Sequence, residues 1–176
     1  MRLSTGLTPC AKYTPIEWGD KKEEEIIWNQ NEGYHLIQGK GTVRGRLIGG
    51  SAGPLRQMMG TCVFPKEEVW SGGILFLESC SPHNSLLAEL HDLRALNAAG
   101  IFSNANGLIT PGMNSGEKEM LLKFLSDEAG RGDMPVLTNV DFGHRTPMTV
   151  LPVGTLAEID CDNGTFGILE TGVEPT

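Results

Sequence analysis

The spacing of apolar and polar positions becomes regular after Gly39, and elements can be read from there on. Thr42 to Ile48 alternates enough for a strand and runs into Gly49-Gly50. Leu55 to Met59 reads as a short helical turn. Gly73 to Glu78 is a continuous apolar run closed by a carboxylate, as expected of a strand covered on both faces. Asn84 to Ala98 places Leu86, Leu90, Leu93 and Asn97 at helical spacing, with Leu87 and Leu96 widening the stripe. Asn84 or Ser85 can cap that helix after Pro82, and Gly100 stops it. Gly107 to Thr110 is a short strand, Glu117 to Ala129 a second helix through Met120, Leu121, Phe124 and Leu125, and Pro135 to Val140 a further strand. Met148 to Leu151 is strand-like. Leu156–Asp160 and Thr165–Glu170 flank Asp162-Asn163-Gly164, a hairpin turn.

Strands and helices alternate through the middle of the chain, which predicts parallel pairing through helical crossovers, and the flanks read as antiparallel. The expected fold is mixed α/β, with a mainly parallel sheet carrying helices and a second, antiparallel sheet. Residues 1–40 read as irregular. Pro9, Pro15, Gly19 and the charge run Lys21 to Glu25 separate Tyr13, Trp18 and Trp28, with a short helix around Glu23 to Trp28. The chain therefore divides into an aromatic arm or inter-domain segment, 1–40, and a domain, 41–176.

Composition narrows the function. A chain of 176 residues fits one domain or a compact pair and can bury a core without staples. The net charge is −8 and the basic residues are scattered, so nucleic acid is not an expected partner. Arg44 and Arg46 share one strand face and read as solvated. No apolar stretch reaches the roughly 20 residues that span a bilayer, and Met1 to Gly6 lacks the long apolar stretch of a secretory signal, so a cytoplasmic protein away from membranes is expected. Cys10, Cys62, Cys80 and Cys161 are dispersed and read as reduced thiols. Cys80 and His83 have metal-like spacing, but no second ligand pair answers them; neither metal nor cofactor is expected.

The candidate chemistry is a carboxylate and an imidazole. Glu78 ends one strand and His144, after Gly143, follows another; together they suit the orienter and base of a hydrolase triad. Asp141 is the second candidate for orienter. His35, His83 and His91 read as histidines satisfied by ordinary structural contacts, and Arg131-Gly132-Asp133 as the turn after the second helix. Gly49-Gly50-Ser51-Ala52-Gly53 matches a nucleophile motif literally. A polar preceding strand and only a short helical turn after Pro54 argue against Ser51 as the nucleophile.

Four segments in order, Gly45 to Gly50, Gly73 to Glu78, Asp141 to Pro147 and Leu151 to Gly154, resemble the C-terminal half of the LD-carboxypeptidase family. Trp18-Gly19-Asp20 and Asn31 to Tyr34 resemble the branch of that family that contains the microcin C immunity protein. The resemblance implies a swivelling β/β/α layered fold and a serine peptidase in which Glu78 and His144 are the acid and base. The nucleophilic serine would come from a preceding N-terminal domain, this domain's implied partner. The substrate would be a peptide, either a murein peptide or a peptidyl-nucleotide toxin whose base Trp18 could stack upon. Ser51 stands where the family carries Asn, at a substrate-contacting position, and Gly19 to Lys22 departs from the family's Thr-Asp-Glu. The rival readings are a non-catalytic scaffold or dimerisation module, which would make a homodimer, and a self-contained hydrolase that uses Ser51.

Overall fold

The structure, a computed structural model, describes residues 5–15, 28–79 and 86–173. The expected short helix around Glu23 to Trp28, apart from Trp28 itself, and the charge run, Trp18, the Cys80–His83 pair and the caps at Asn84 and Ser85 lie outside the described residues. In chain order the elements are β1 (Thr5–Gly6), β2 (Lys12–Pro15), β3 (Asn29–Gln30), β4 (His35–Gln38), β5 (Thr42–Ser51), α1 (Ala52–Met58), α2 (Glu67–Trp70), β6 (Ile74–Glu78), α3 (Leu86–Ala98), β7 (Gly107–Ile109), α4 (Ser115–Lys123), β8 (Val136–Thr138), β9 (Arg145–Thr146), β10 (Leu156–Asp160) and β11 (Thr165–Ile168). A π-helical turn, Phe124–Glu128, continues α4.

The main sheet runs β1-β11-β10-β5-β6-β7-β8-β4. Its centre, β5 to β8, is parallel, and the outer strands pair antiparallel. Alternation along the central strands splits the core into two layers. Ile48, Leu75, Leu77, Leu108 and Val136 meet the helical layer at Leu55, Leu93, Leu96, Leu121 and Phe124. Leu47, Ile74, Ile109 and Leu137 point the other way and meet Ala157, Ile159, Phe166 and Ile168 of β10 and β11. The same sheet therefore curls over its own parallel centre, giving β/β/α layers. A second sheet, β3-β2-β9, is antiparallel.

Several expectations need correction. Within the described residues, the first 40 are not irregular: β1 pairs with β11 and β4 pairs with β8, at opposite edges of the main sheet, and β2 and β3 build the second sheet. Strands of two to four residues are too short to show alternation, and β1, β2 and β4 reach partners in the second half of the chain. Met148 to Leu151 is not a strand; Val150 is exposed, and pairing falls instead on Arg145–Thr146. Nor does a strand reach His144, because β8 ends at Thr138. On α3 the inward face is rotated from the leucine stripe. Leu86 and Leu87 are exposed, whereas Glu89, Asp92, Leu93 and Leu96 are buried.

Candidate active site

Glu78 is the last residue of β6, at the carboxyl end of the parallel centre, where ligand sites of open α/β sheets gather. It pairs in register with Ser51, the last residue of β5. His144 arrives on the loop that leaves β8. That loop turns sharply at Asn139, which has a left-handed φ of 66°. The Asn139 and Val140 amides donate to the Pro111 and Thr110 carbonyls, tying the turn to the segment after β7.

Asp141 then fastens the loop. It is buried, and its carboxylate accepts from the Cys10 amide (2.7 Å), the Cys10 thiol (3.0 Å) and Asn31 Nδ2 (3.1 Å), while Arg145 Nη2 lies 3.2 Å away. The second candidate for orienter is thus spent on holding the backbone, a role set by partners from the first 40 residues. Arg145 is buried beneath Tyr13, its guanidinium 4.0 Å from the ring centre, and donates to Asn139 Oδ1 at 3.0 Å.

Between those anchors, His144 Nδ1 bonds Glu78 Oε1 directly. An ionised carboxylate can only accept, so Nδ1 carries the proton and Nε2 is the basic nitrogen. The imidazole is 39% exposed and the carboxylate 17%, a pair at the edge of a cleft rather than in the core. Gly143 makes the approach feasible. Its φ is +82°, and a Cβ there would stand 2.5 Å from Glu78 Oε1 and 2.8 Å from its carboxyl carbon. The cleft has a volume of about 730 Å³, and Tyr13, His35, Glu89, Asn139 and Lys118 also line it. Chemically, the pair can take up a proton at Nε2 and stabilise the resulting imidazolium.

The remaining candidates fall as follows. Trp18 lies outside the described residues. Ser51 stands at the N-cap position of α1 and is not among the residues lining the cleft. The strand before it is polar only in its first half, since Leu47 and Ile48 are buried. Arg131 does mark a turn; it donates to the Phe102 and Ala105 carbonyls at 2.5 and 2.9 Å. Arg44 and Arg46 form exposed pairs with Glu158 and Glu170. Among the described residues, no cluster of three His, Cys, Asp or Glu side chains is placed to hold a metal.

Two cleft residues escaped the sequence reading. His35, whose sequence context reads as structurally satisfied, stands on the cleft wall, 3.8 Å from Glu32. Glu89 was hidden in a leucine-rich helix; the available signal was an acid three residues after Leu86 and four before Leu93, on the core face. Burial pushes the Glu89 carboxyl above its ordinary range. The Ser79 hydroxyl, 2.9 Å away, opposes that shift, and Glu117 and Asp92 reinforce it.

A parallel sheet whose carboxyl edge presents an acid–imidazole pair above a cleft belongs to the α/β class in which hydrolytic chemistry is common. Residues 44–159 match the LD-carboxypeptidase C-terminal domain, and the chain belongs to that family of peptidases. It is 30% identical over 172 residues to the microcin C7 self-immunity protein MccF of Escherichia coli, covering 90% of this chain and 48% of that protein. It is also 30% identical over 160 residues to a provisionally named carboxypeptidase of Treponema pallidum, covering 87% and 46%. The structure of MccF in complex with glutamyl sulfamoyl guanosine superposes with a TM-score of 0.79 at 26% identity, covering 96% of this chain and 51% of that one. The chain spans about half the length of the curated relatives it matches. Among the described residues, no helix is long and apolar enough to cross a membrane.

Proposed function

We propose that this chain is the acid–base half of a serine carboxypeptidase site. The Glu78–His144 pair carries the reading: a carboxylate holds one imidazole nitrogen at the edge of a large cleft. Ser51 is not among the cleft's lining residues, which favours a serine supplied by a preceding domain. The half-length match to the relatives supports the same division. In the proposed reaction the serine Oγ attacks the amide carbonyl while His144 Nε2 takes its proton. The tetrahedral intermediate collapses, Nε2 gives the proton to the leaving amine, and water then releases the acyl group by the reverse path. Glu78 keeps Nδ1 protonated and offsets the imidazolium charge.

The test is made in the intact protein. Glu78→Ala and His144→Ala should each lower peptide hydrolysis by roughly 10⁴-fold with the circular dichroism spectrum unchanged. Near-normal turnover in either variant refutes the assignment. The 176-residue chain alone should be inactive, and hydrolysis that vanishes with Ser51→Ala would establish a self-contained enzyme instead.

The substrate is a murein peptide or a peptidyl nucleotide. MccF has been solved with an acyl sulfamoyl nucleoside, which supports the second. Trp18 would then stack on the base. Adenosine monophosphate should quench the intact protein's tryptophan fluorescence, and Trp18→Phe should remove that change. Absence of quenching favours the murein peptide.

A further inference from the structure

Beside the Glu78–His144 pair the cleft opens into a side pocket of about 80 Å³, between α3, α4 and the ends of β6 and β7. Its walls are largely apolar, with Leu77, Leu93, Leu108 and Leu121 among them. Glu89 lines both the pocket and the cleft and is only 5% exposed. Its Oε1 accepts from the Ser79 hydroxyl at 2.9 Å, whereas Oε2 is buried with no hydrogen-bond partner among the described residues. Neither charged neighbour relieves it. Glu117 accepts from the Asn114 amide at 2.7 Å, and Asp92 is paired with Arg56, so both add negative potential and neither supplies a donor.

We propose that this pocket binds a primary alkylammonium, with Glu89 Oε2 as its acceptor and the apolar walls around its methylenes. An anion would meet the Glu89 and Glu117 carboxylates, and a neutral donor would leave their field uncancelled; Asp92 is already answered by Arg56. A cation with N–H donors removes both costs, and a methylene stem suits the walls, as lysine stems do on apolar surfaces. If the cleft takes a peptide, the ammonium belongs to an amine-bearing side chain near the scissile bond. Only that identification of the bearer rests on the peptidase reading.

The experiment does not depend on catalysis. The ¹⁵N-labelled 176-residue chain is titrated with n-butylammonium in 0.1 M KCl, with tetramethylammonium, which has charge but no N–H donor, as the comparison. Saturable shifts centred on Ser79, Leu93 and Met113 are expected for n-butylammonium alone. Glu89→Gln and Glu89→Met should each weaken them at least tenfold. Absence of saturable binding, equal affinity in both variants, equal response to tetramethylammonium, or shifts centred on Glu78 and His144 instead would each overturn the proposal. A failure here leaves the Glu78 and His144 assignments standing, and inactive-site results in the intact protein leave this one standing.

Discussion

Gly143→Ala isolates the contact that brings the acid and the imidazole together. Two costs arise from one added methyl. A non-glycine residue at φ +82° carries about 1–2 kcal/mol of left-handed strain. A Cβ placed 2.5 Å from Glu78 Oε1 also forces the carboxylate away, and with it goes the bond to His144 Nδ1. For a pair this exposed, that bond is worth about 1–2 kcal/mol. The sum, about 2–4 kcal/mol, corresponds to a Tm loss on the order of 10 °C for a chain of this size. Urea unfolding of a double-mutant cycle with Glu78→Ala separates the two parts. In that background the methyl meets no carboxylate, and Gly143→Ala should cost only the strain, leaving a coupling of about 1–2 kcal/mol. The imidazole ¹⁵N shifts of His144 should report the lost partner in the single variant. Equal costs in both backgrounds, or unchanged imidazole shifts, refute the claim that Gly143 exists to admit Glu78.

Asp141→Ala leaves the buried Arg145 guanidinium uncompensated and should cost about 3–5 kcal/mol in urea unfolding; Asp141→Asn should cost less, and a loss below 1 kcal/mol for Ala would contradict the network. Burial of the Tyr34 hydroxyl, with Asp141 and Cys10 nearby, pushes its pKa up from 10.0 to about 12. The folded state therefore holds this proton more tightly than the unfolded one; the contribution is complete below pH 10 and is lost as pH rises towards 12, a decline that Tyr34→Phe should remove from urea midpoints. Glu89→Leu should stabilise the fold by about 1–2 kcal/mol at pH 8, since it removes a buried carboxylate whose Oε2 has no hydrogen-bond partner among the described residues. The Glu89 pKa is raised in the folded state, so the wild type loses stability as pH climbs from the unfolded value through the folded one, and the gain from leucine should shrink below pH 4.

What the sequence made legible follows the range of the forces involved. β5, β6, α3, β7, α4 and the β10–β11 hairpin were each readable because burial on a layer imprints a period on consecutive residues. Glu78 was readable for the same reason, as a carboxylate ending an apolar run. β1 to β4 and β9 left no such imprint. All but β3 are defined by partners remote in sequence, such as His35 opposite Thr138 and Thr14 opposite Thr146, and β3 is a two-residue edge on β2. The role of Asp141 was hidden likewise, because its ligands Cys10 and Asn31 are 131 and 110 residues away. Glu89 was misjudged by the opposite route: the leucines around it form a stripe, but the face turned inward carries acids.

The two halves of the Glu78–His144 pair are positioned by unlike devices, and this bears on how the site can fail. Glu78 is fixed by regular structure, between parallel strands whose apolar residues are buried on both faces. Its position should survive most surface changes. His144 stands at the end of a loop, just before the two-residue strand β9. What fixes its backbone is its neighbour Arg145, buried under Tyr13 and facing Asp141, together with Cys10 and Asn31. The imidazole itself is half-exposed, so packing around the ring contributes little to its aim. Cys10, Tyr13 and Asn31 thus act on the placement of His144 through Asp141 and Arg145, without touching the imidazole's bond to Glu78. Substitution of those three residues should displace His144 while leaving Glu78, the main sheet and the helical layer in place.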